Sequence, residues 1–86
     1  MRLAQTERFV TACQDLDERD RKRVEKALRL MAADLRHPSL RAKKMEGTDY
    51  IWEASASLSI RITFQLEGDT ILLRNVGAHD KTLKRP

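Results

Sequence analysis

From Leu58 to Leu66 every second residue is apolar: Leu58, Ile60, Ile62, Phe64 and Leu66 alternate with Ser59, Arg61, Thr63 and Gln65. A period of two predicts a β-strand with one buried and one polar face. Glu67-Gly68-Asp69-Thr70 reads as a hairpin turn closed by the two-residue loop Gly68-Asp69, and residues 71–76 return beside the first strand. That register sets Leu66 against Ile71 and Phe64 against Leu73 on the core side. On the polar side it sets Thr63 against Arg74 and Arg61 against Val76. A further strand is expected over residues 50–57, where Trp52 reads as core or edge packing rather than a base-stacking platform.

Earlier in the chain the period is 3.6. Thr6 is an N-cap for a helix over residues 7–16, with Phe9, Cys13 and Leu16 on one face. Cys13 on that stripe reads as a small core residue rather than a reactive thiol. Asp17 is a second N-cap, and the helix it opens extends to about residue 35. Val24, Ala27, Leu28, Met31 and Leu35 fall in one arc, while Arg19, Lys22, Arg23, Lys26 and Arg29 lie opposite. The charged side reads as a solvated surface, supported by Glu18–Lys22 and Glu25–Arg29 pairs at i, i+4. His37-Pro38 ends the helix, because the residue before a proline is driven out of helical geometry. His37 is expected to be a loop residue without a chemical role. Residues 1–5 suggest a short first strand. Two helices followed by an antiparallel sheet define an α+β fold, with the helices covering the apolar sheet face.

Composition narrows the setting. Eighty-six residues without repeats or linkers predict one domain over residues 1–86. One cysteine and no metal-type Cys/His spacing point to a reducing, intracellular environment. No apolar run is long enough for a bilayer and no signal peptide opens the chain, so a soluble cytoplasmic protein without a membrane partner is expected. The net charge of +4 is unevenly spread. Arg36, Arg41, Lys43 and Lys44 form a run without an acid, and Lys81, Lys84 and Arg85 crowd the last six residues. Such a balance suits a polyanion or an acidic protein.

Candidate chemistry gathers at the end of the hairpin. In the predicted register Arg61 and Arg74 project from one face as diagonal neighbours, and the chain carries His79 at most about 10 Å beyond Val76. Two guanidiniums and an imidazole brought together call for an anion between them. Lys43, Lys44 and Lys81 add further cations for a phosphate backbone. An imidazole can move a proton near neutral pH, and arginines can hold a phosphate while charge builds on it. This combination suits RNA cleavage by the neighbouring 2′-hydroxyl, which requires no metal or other cofactor.

Three segments carry a resemblance: His-Pro-Ser-Leu-Arg-Ala-Lys-Lys-Met-Glu-Gly (37–47), Ser-Ile-Arg-Ile-Thr-Phe (59–64) and Asn-Val-Gly-Ala-His-Asp (75–80). In that order and spacing the chain resembles the RelE/ParE superfamily, the toxins of bacterial type II toxin–antitoxin pairs. The resemblance implies two helices against a twisted antiparallel sheet. It also implies a cognate antitoxin, acidic or DNA-binding, as partner. RelE-like members cleave mRNA, often on the ribosome, whereas ParE-like members poison DNA gyrase. Carried over by position, Arg61 matches the arginine that binds the scissile phosphate, and His79 falls where relatives carry a functional Arg or His. A catalytic aromatic of many members is replaced by Leu83, and a basic strand pair of ribosome-dependent members by Glu53 and Ser55. Glu53 is then a general base or a partner for an arginine. The reading is an mRNA-cleaving RelE-type toxin that inhibits translation. Its alternatives are a gyrase-directed toxin and an inactive relative that only binds antitoxin or RNA.

Overall fold

The computed structural model describes residues 1–86. Strand β1 (Arg2–Gln5) leads into α1 (Glu7–Gln14) and α2 (Glu18–Ala33). A single 3-10 turn (Pro38–Leu40) follows, then strands β2 (Lys43–Lys44), β3 (Trp52–Ser55), β4 (Ile60–Glu67) and β5 (Thr70–Ala78) and a last helix, α3 (His79–Lys84). The five strands form one sheet in the order β1-β5-β4-β3-β2. β1 runs parallel to β5, so the sheet is mixed rather than wholly antiparallel.

Both predicted N-caps are present. Thr6 Oγ1 accepts from the Phe9 amide at 3.1 Å, and an Asp17 carboxylate oxygen accepts from the Asp20 amide at 2.8 Å. Each side chain satisfies a first-turn donor that the helix itself leaves free. Asp34 caps α2 in extended geometry, ending it slightly before residue 35. His37 accepts from the Ser39 amide at 3.2 Å and caps the 3-10 turn, a local structural role. Lys22 pairs with Glu18 at 3.5 Å, but no Glu25–Arg29 pair forms. Glu25 instead lies close enough to Cys13 to act on its thiol. Burial, and then this carboxylate, push that thiol above its ordinary value and keep it protonated.

The helices meet one face of the sheet in a core built from Phe9, Val24, Ala27, Met31, Leu40, Ala54, Ile60, Ile62, Phe64, Ile71, Leu73 and Val76. Burying a side chain such as Phe9 or Phe64 contributes about 1.5–3 kcal/mol. Trp52 stacks on Phe64 with ring centroids 6.2 Å apart, and Lys44 Nζ lies 5.8 Å from the Trp52 ring. Trp52 is therefore packing. Leu58, expected on the buried face, is 88% exposed. Ser57 Oγ accepts from the Ser59 and Ile60 amides, holding residues 57–59 in a turn so that β4 begins only at Ile60.

The hairpin register holds near the turn and then slips. Glu67 faces Thr70, Leu66 faces Ile71 and Phe64 faces Leu73, as expected. Beyond Phe64 a β-bulge intervenes, so Thr63 pairs with Asn75, Ile62 with Val76 and Arg61 with Gly77. The expected Thr63–Arg74 and Arg61–Val76 pairs are thus replaced. The cause is core packing: Ile71, Leu73 and Val76 are all buried, and strict alternation cannot place all three on one face.

The polar face is not bare. α3 packs against β4 and β5, and Thr63 is completely buried although it belongs to that face. Its Oγ1 donates to the Pro86 backbone oxygen at 2.9 Å. The segment after Gly77 is therefore a docked helix. A Cβ added at Gly77 would stand 2.9 Å from Thr82 Oγ1, closer than van der Waals contact permits. Gly77→Ala is accordingly expected to cost about 1–3 kcal/mol in stability by overpacking. Thr82→Ala in the same chain should recover part of it, which paired urea unfolding curves will measure.

Candidate functional site

Arg61 occupies the central strand with Ser55 opposite it on β3 and Gly77 opposite it on β5. Its Nη1 donates to the backbone oxygens of Ser57 at 2.7 Å and Leu58 at 3.1 Å. The turn that exposes Leu58 thereby fixes the guanidinium through backbone oxygens rather than a carboxylate. The cation keeps its charge, and its remaining N–H groups stay available to an anion. Arg61 lines a cleft of about 380 Å³ together with Arg41, Ser39, Ser55 and Ser57, and no acidic residue lines it.

Glu53 stands on the same sheet face, opposite Thr63 on β4 and Lys43 on β2. It is therefore a diagonal neighbour of Arg61, at a separation of about 7–8 Å in a regular sheet. Neither Arg61 nor any other cation forms an ion pair with Glu53, leaving a half-buried carboxylate beside the arginine. Lys43 shares this face. Lys44 does not: it lies opposite Trp52 and covers that ring, so the two lysines of β2 separate to opposite faces.

His79 begins α3 at the end of β5, where its amide donates to the Ser59 backbone oxygen at 2.8 Å. That bond carries the β4–β5 ladder one step past Ile60–Ala78 and sets His79 at the same sheet end as Arg61. The imidazole is about half exposed, with Nδ1 3.0 Å from an Asp80 carboxylate oxygen. With Nδ1–H donating to Asp80, Nε2 is the nitrogen left for proton transfer. The hydrogen bond from His79, followed by its charge and that of Lys84, holds the Asp80 carboxyl below the usual carboxylate range.

Arg74 does not join this group. It is the residue taken up by the bulge, and its Nη1 donates to Gln65 at 2.6 Å while its Nε donates to the Pro86 oxygen at 3.1 Å. Its guanidinium also lies 5.6 Å from the Tyr50 ring. Arg74 thus anchors the chain end that covers Thr63. The expected convergence of two guanidiniums with the imidazole does not form: Arg61 has Glu53 as its diagonal neighbour in the sheet, and His79 begins α3 at the same sheet end. Lys81 is exposed on α3, where it, Lys84 and Arg85 form a separate basic surface. Arg41 is the residue that pattern reading left out of the site. Its signal was the acid-free basic run, but only the fold turns Arg41 toward the Arg61 cleft.

No protein-family model matches the sequence, and no curated protein matches it. Solved structures match along nearly the whole chain. A chain of the RelB–RelE antitoxin–toxin complex from Methanococcus jannaschii superposes with a TM-score of 0.77 at 20% identity, covering 96% of this chain and 99% of that one. YafQ from E. coli strain BL21(DE3) gives a TM-score of 0.80 at 11% identity, with coverage of 95% and 98%. The YoeB/ParE toxin from Agrobacterium tumefaciens gives 0.75 at 14% identity, with coverage of 92% and 99%. The fold is that of the RelE/ParE toxins.

The pairing of His79 with Asp80 has a measurable signature. A carboxyl whose folded value lies below its unfolded one contributes stability above the unfolded value, about 3.9 for Asp. That contribution is lost as pH falls through the folded value. A carbon-detected NMR titration should place Asp80 below the ordinary aspartate range, and His79→Gln should move it up toward that range. An Asp80 titration that does not respond to His79→Gln would mean that the imidazole is not the cause.

Proposed function

We propose that this chain is the toxin of a type II toxin–antitoxin pair and that it inhibits translation by cleaving mRNA. The observation that carries this reading is Arg61, held by the Ser57 and Leu58 backbone oxygens at the end of the sheet, with Glu53 diagonal to it and His79 beginning α3 at the same end. In such cleavage the 2′-hydroxyl attacks the adjacent phosphorus and the 5′-oxygen departs, leaving a 2′,3′-cyclic phosphate. Arg61 binds the scissile phosphate and offsets the charge that develops on it. Glu53 accepts the 2′-hydroxyl proton, and His79 Nε2 supplies the proton to the leaving oxygen. Leu83, half-buried on α3, has no proton to give, so His79 carries the acid role.

The whole-chain likeness to a RelB–RelE complex supports an antitoxin as partner. A basic protein with cations on both β2 and α3 suits an acidic segment that folds on contact. The ribosome enters as the place where mRNA is presented to the cleft.

Expression of the chain alone should arrest bacterial growth and produce mRNA fragments, chiefly from translated messages. Arg61→Ala should lower single-turnover cleavage by about two to three orders of magnitude, and His79→Ala by about 10²–10⁴. RNA end mapping with a parallel gyrase supercoiling assay decides the matter. Growth arrest with intact mRNA and inhibited gyrase would replace this reading with a gyrase-directed toxin.

A further inference from the structure

The Arg61 cleft does not end at Arg61. Ser39, Ser55 and Ala56 line both this cleft and a second cavity, whose far side is made by Lys26 and Arg23 on α2. Neither lining contains an acid. A basic path therefore runs from Arg61 and Arg41, past Ser39, whose hydroxyl is taken up by His37 Nδ1 at 2.8 Å, and across the Ser55 hydroxyl to the cationic side of α2. Lys26 takes part in no ion pair along this path, whereas Arg23 is 3.5 Å from Asp20.

Arg41 adds an independent observation. It is the one non-glycine residue with positive φ, at φ 48° and ψ 42°, where it ends the 3-10 turn. Side chains with a Cβ are disfavoured in this left-handed region, and glycine is the usual occupant of such a turn-ending position. A guanidinium is kept there at a conformational cost, in a cleft that already holds a second arginine and no counter-charge. Two like charges facing each other are offset by an anion.

We propose that Arg41, Ser55 and Lys26 form a phosphodiester track that binds the single-stranded RNA backbone beyond the scissile phosphate held by Arg61. The track leads the strand out of the cleft and over α2. The inference rests on the nuclease reading for the identity of its ligand, but it is tested by binding alone. Serine hydroxyls and arginine forks contact phosphate oxygens and leave the bases facing away, so the track takes RNA without regard to sequence along this stretch.

The test uses the whole protein and a short all-2′-deoxy oligonucleotide, which cannot be cleaved by 2′-hydroxyl attack. Affinity is measured by fluorescence anisotropy over a series of salt concentrations, and melting temperature is measured alongside. Arg41→Gly should weaken binding about 10- to 100-fold, the range of a lost charge-assisted hydrogen bond. The same change should leave the melting temperature unchanged or raise it, because glycine relieves the left-handed backbone. Arg41→Asn, which also tolerates this conformation, serves as the second variant. Lys26→Gln should reduce the slope of log affinity against log salt by about 0.7, the value for one phosphate contact to a single strand.

Unchanged affinity and salt slope in all three variants, with wild type binding and cleaving RNA, would overturn the track and leave the nuclease reading standing. Weakened variant binding in a protein that cuts no RNA would sustain the track and remove the nuclease reading. A wild type that binds an acidic peptide but no oligonucleotide would overturn both.

Discussion

The β-bulge between Phe64 and Thr63 on β4, where β5 takes up Arg74, is the constraint on which the rest of the sheet depends. On the turn side of it Ile71 and Leu73 face the core, and on the far side Val76 does. Without the extra residue one of these apolar sets would face solvent. The slip also sets Gly77 opposite Arg61, and that position must be glycine because Thr82 of α3 presses against it. Through Gly77 the bulge governs how α3 docks, and through α3 it governs where His79 stands. Core packing and site geometry are thus two results of a single inserted residue.

Much of this fold was legible in the residues. The two caps at Thr6 and Asp17, the core arc of α2 and the Gly68-Asp69 turn are local features, and local physics places them where the patterns indicate. The parts that were not legible depend on tertiary contacts. Ile71, Leu73 and Val76 do announce the bulge by their change of parity, yet a regular two-residue hairpin extrapolates straight through it. Helix α3 has only Thr82 fully buried and carries Lys81 and Lys84 in its last turn, so it lacks the apolar stripe that marks a helix. Four residues of β1 and two of β2 are too short for a period to identify a partner or its direction.

The site divides in the same way. Arg61 was assignable to the polar face by alternation along β4, but Glu53 and Lys43 lie on other strands, and only the pairing of β2, β3 and β4 sets them on that face. Arg74 was misplaced by the slip, and Lys44 was grouped with Lys43 although a strand turns neighbours to opposite faces. Arg41 required the left-handed turn to bring it near Arg61, and no spacing rule predicts that. The guanidinium of Arg61 is oriented by backbone oxygens of a serine-closed turn, so orientation and uncompensated charge are achieved together. A carboxylate in the same role would have oriented it equally well but cancelled the field that attracts a phosphate.

β1 lies at one edge of the sheet, and its only strand partner is β5. β1 therefore has no place in the sheet until β5 has been synthesised. Contacts between such distant segments form slowly, because a large loop must close before they yield any gain. Meanwhile β4 and β5 hold an unfilled edge, with Leu3 absent from its position against Ile71. On a translating ribosome β5 and α3 emerge after the other strands and helices, and they carry Gly77 and His79. The sheet is completed and the histidine is set in place in the same late stage, so an incomplete nascent chain has neither.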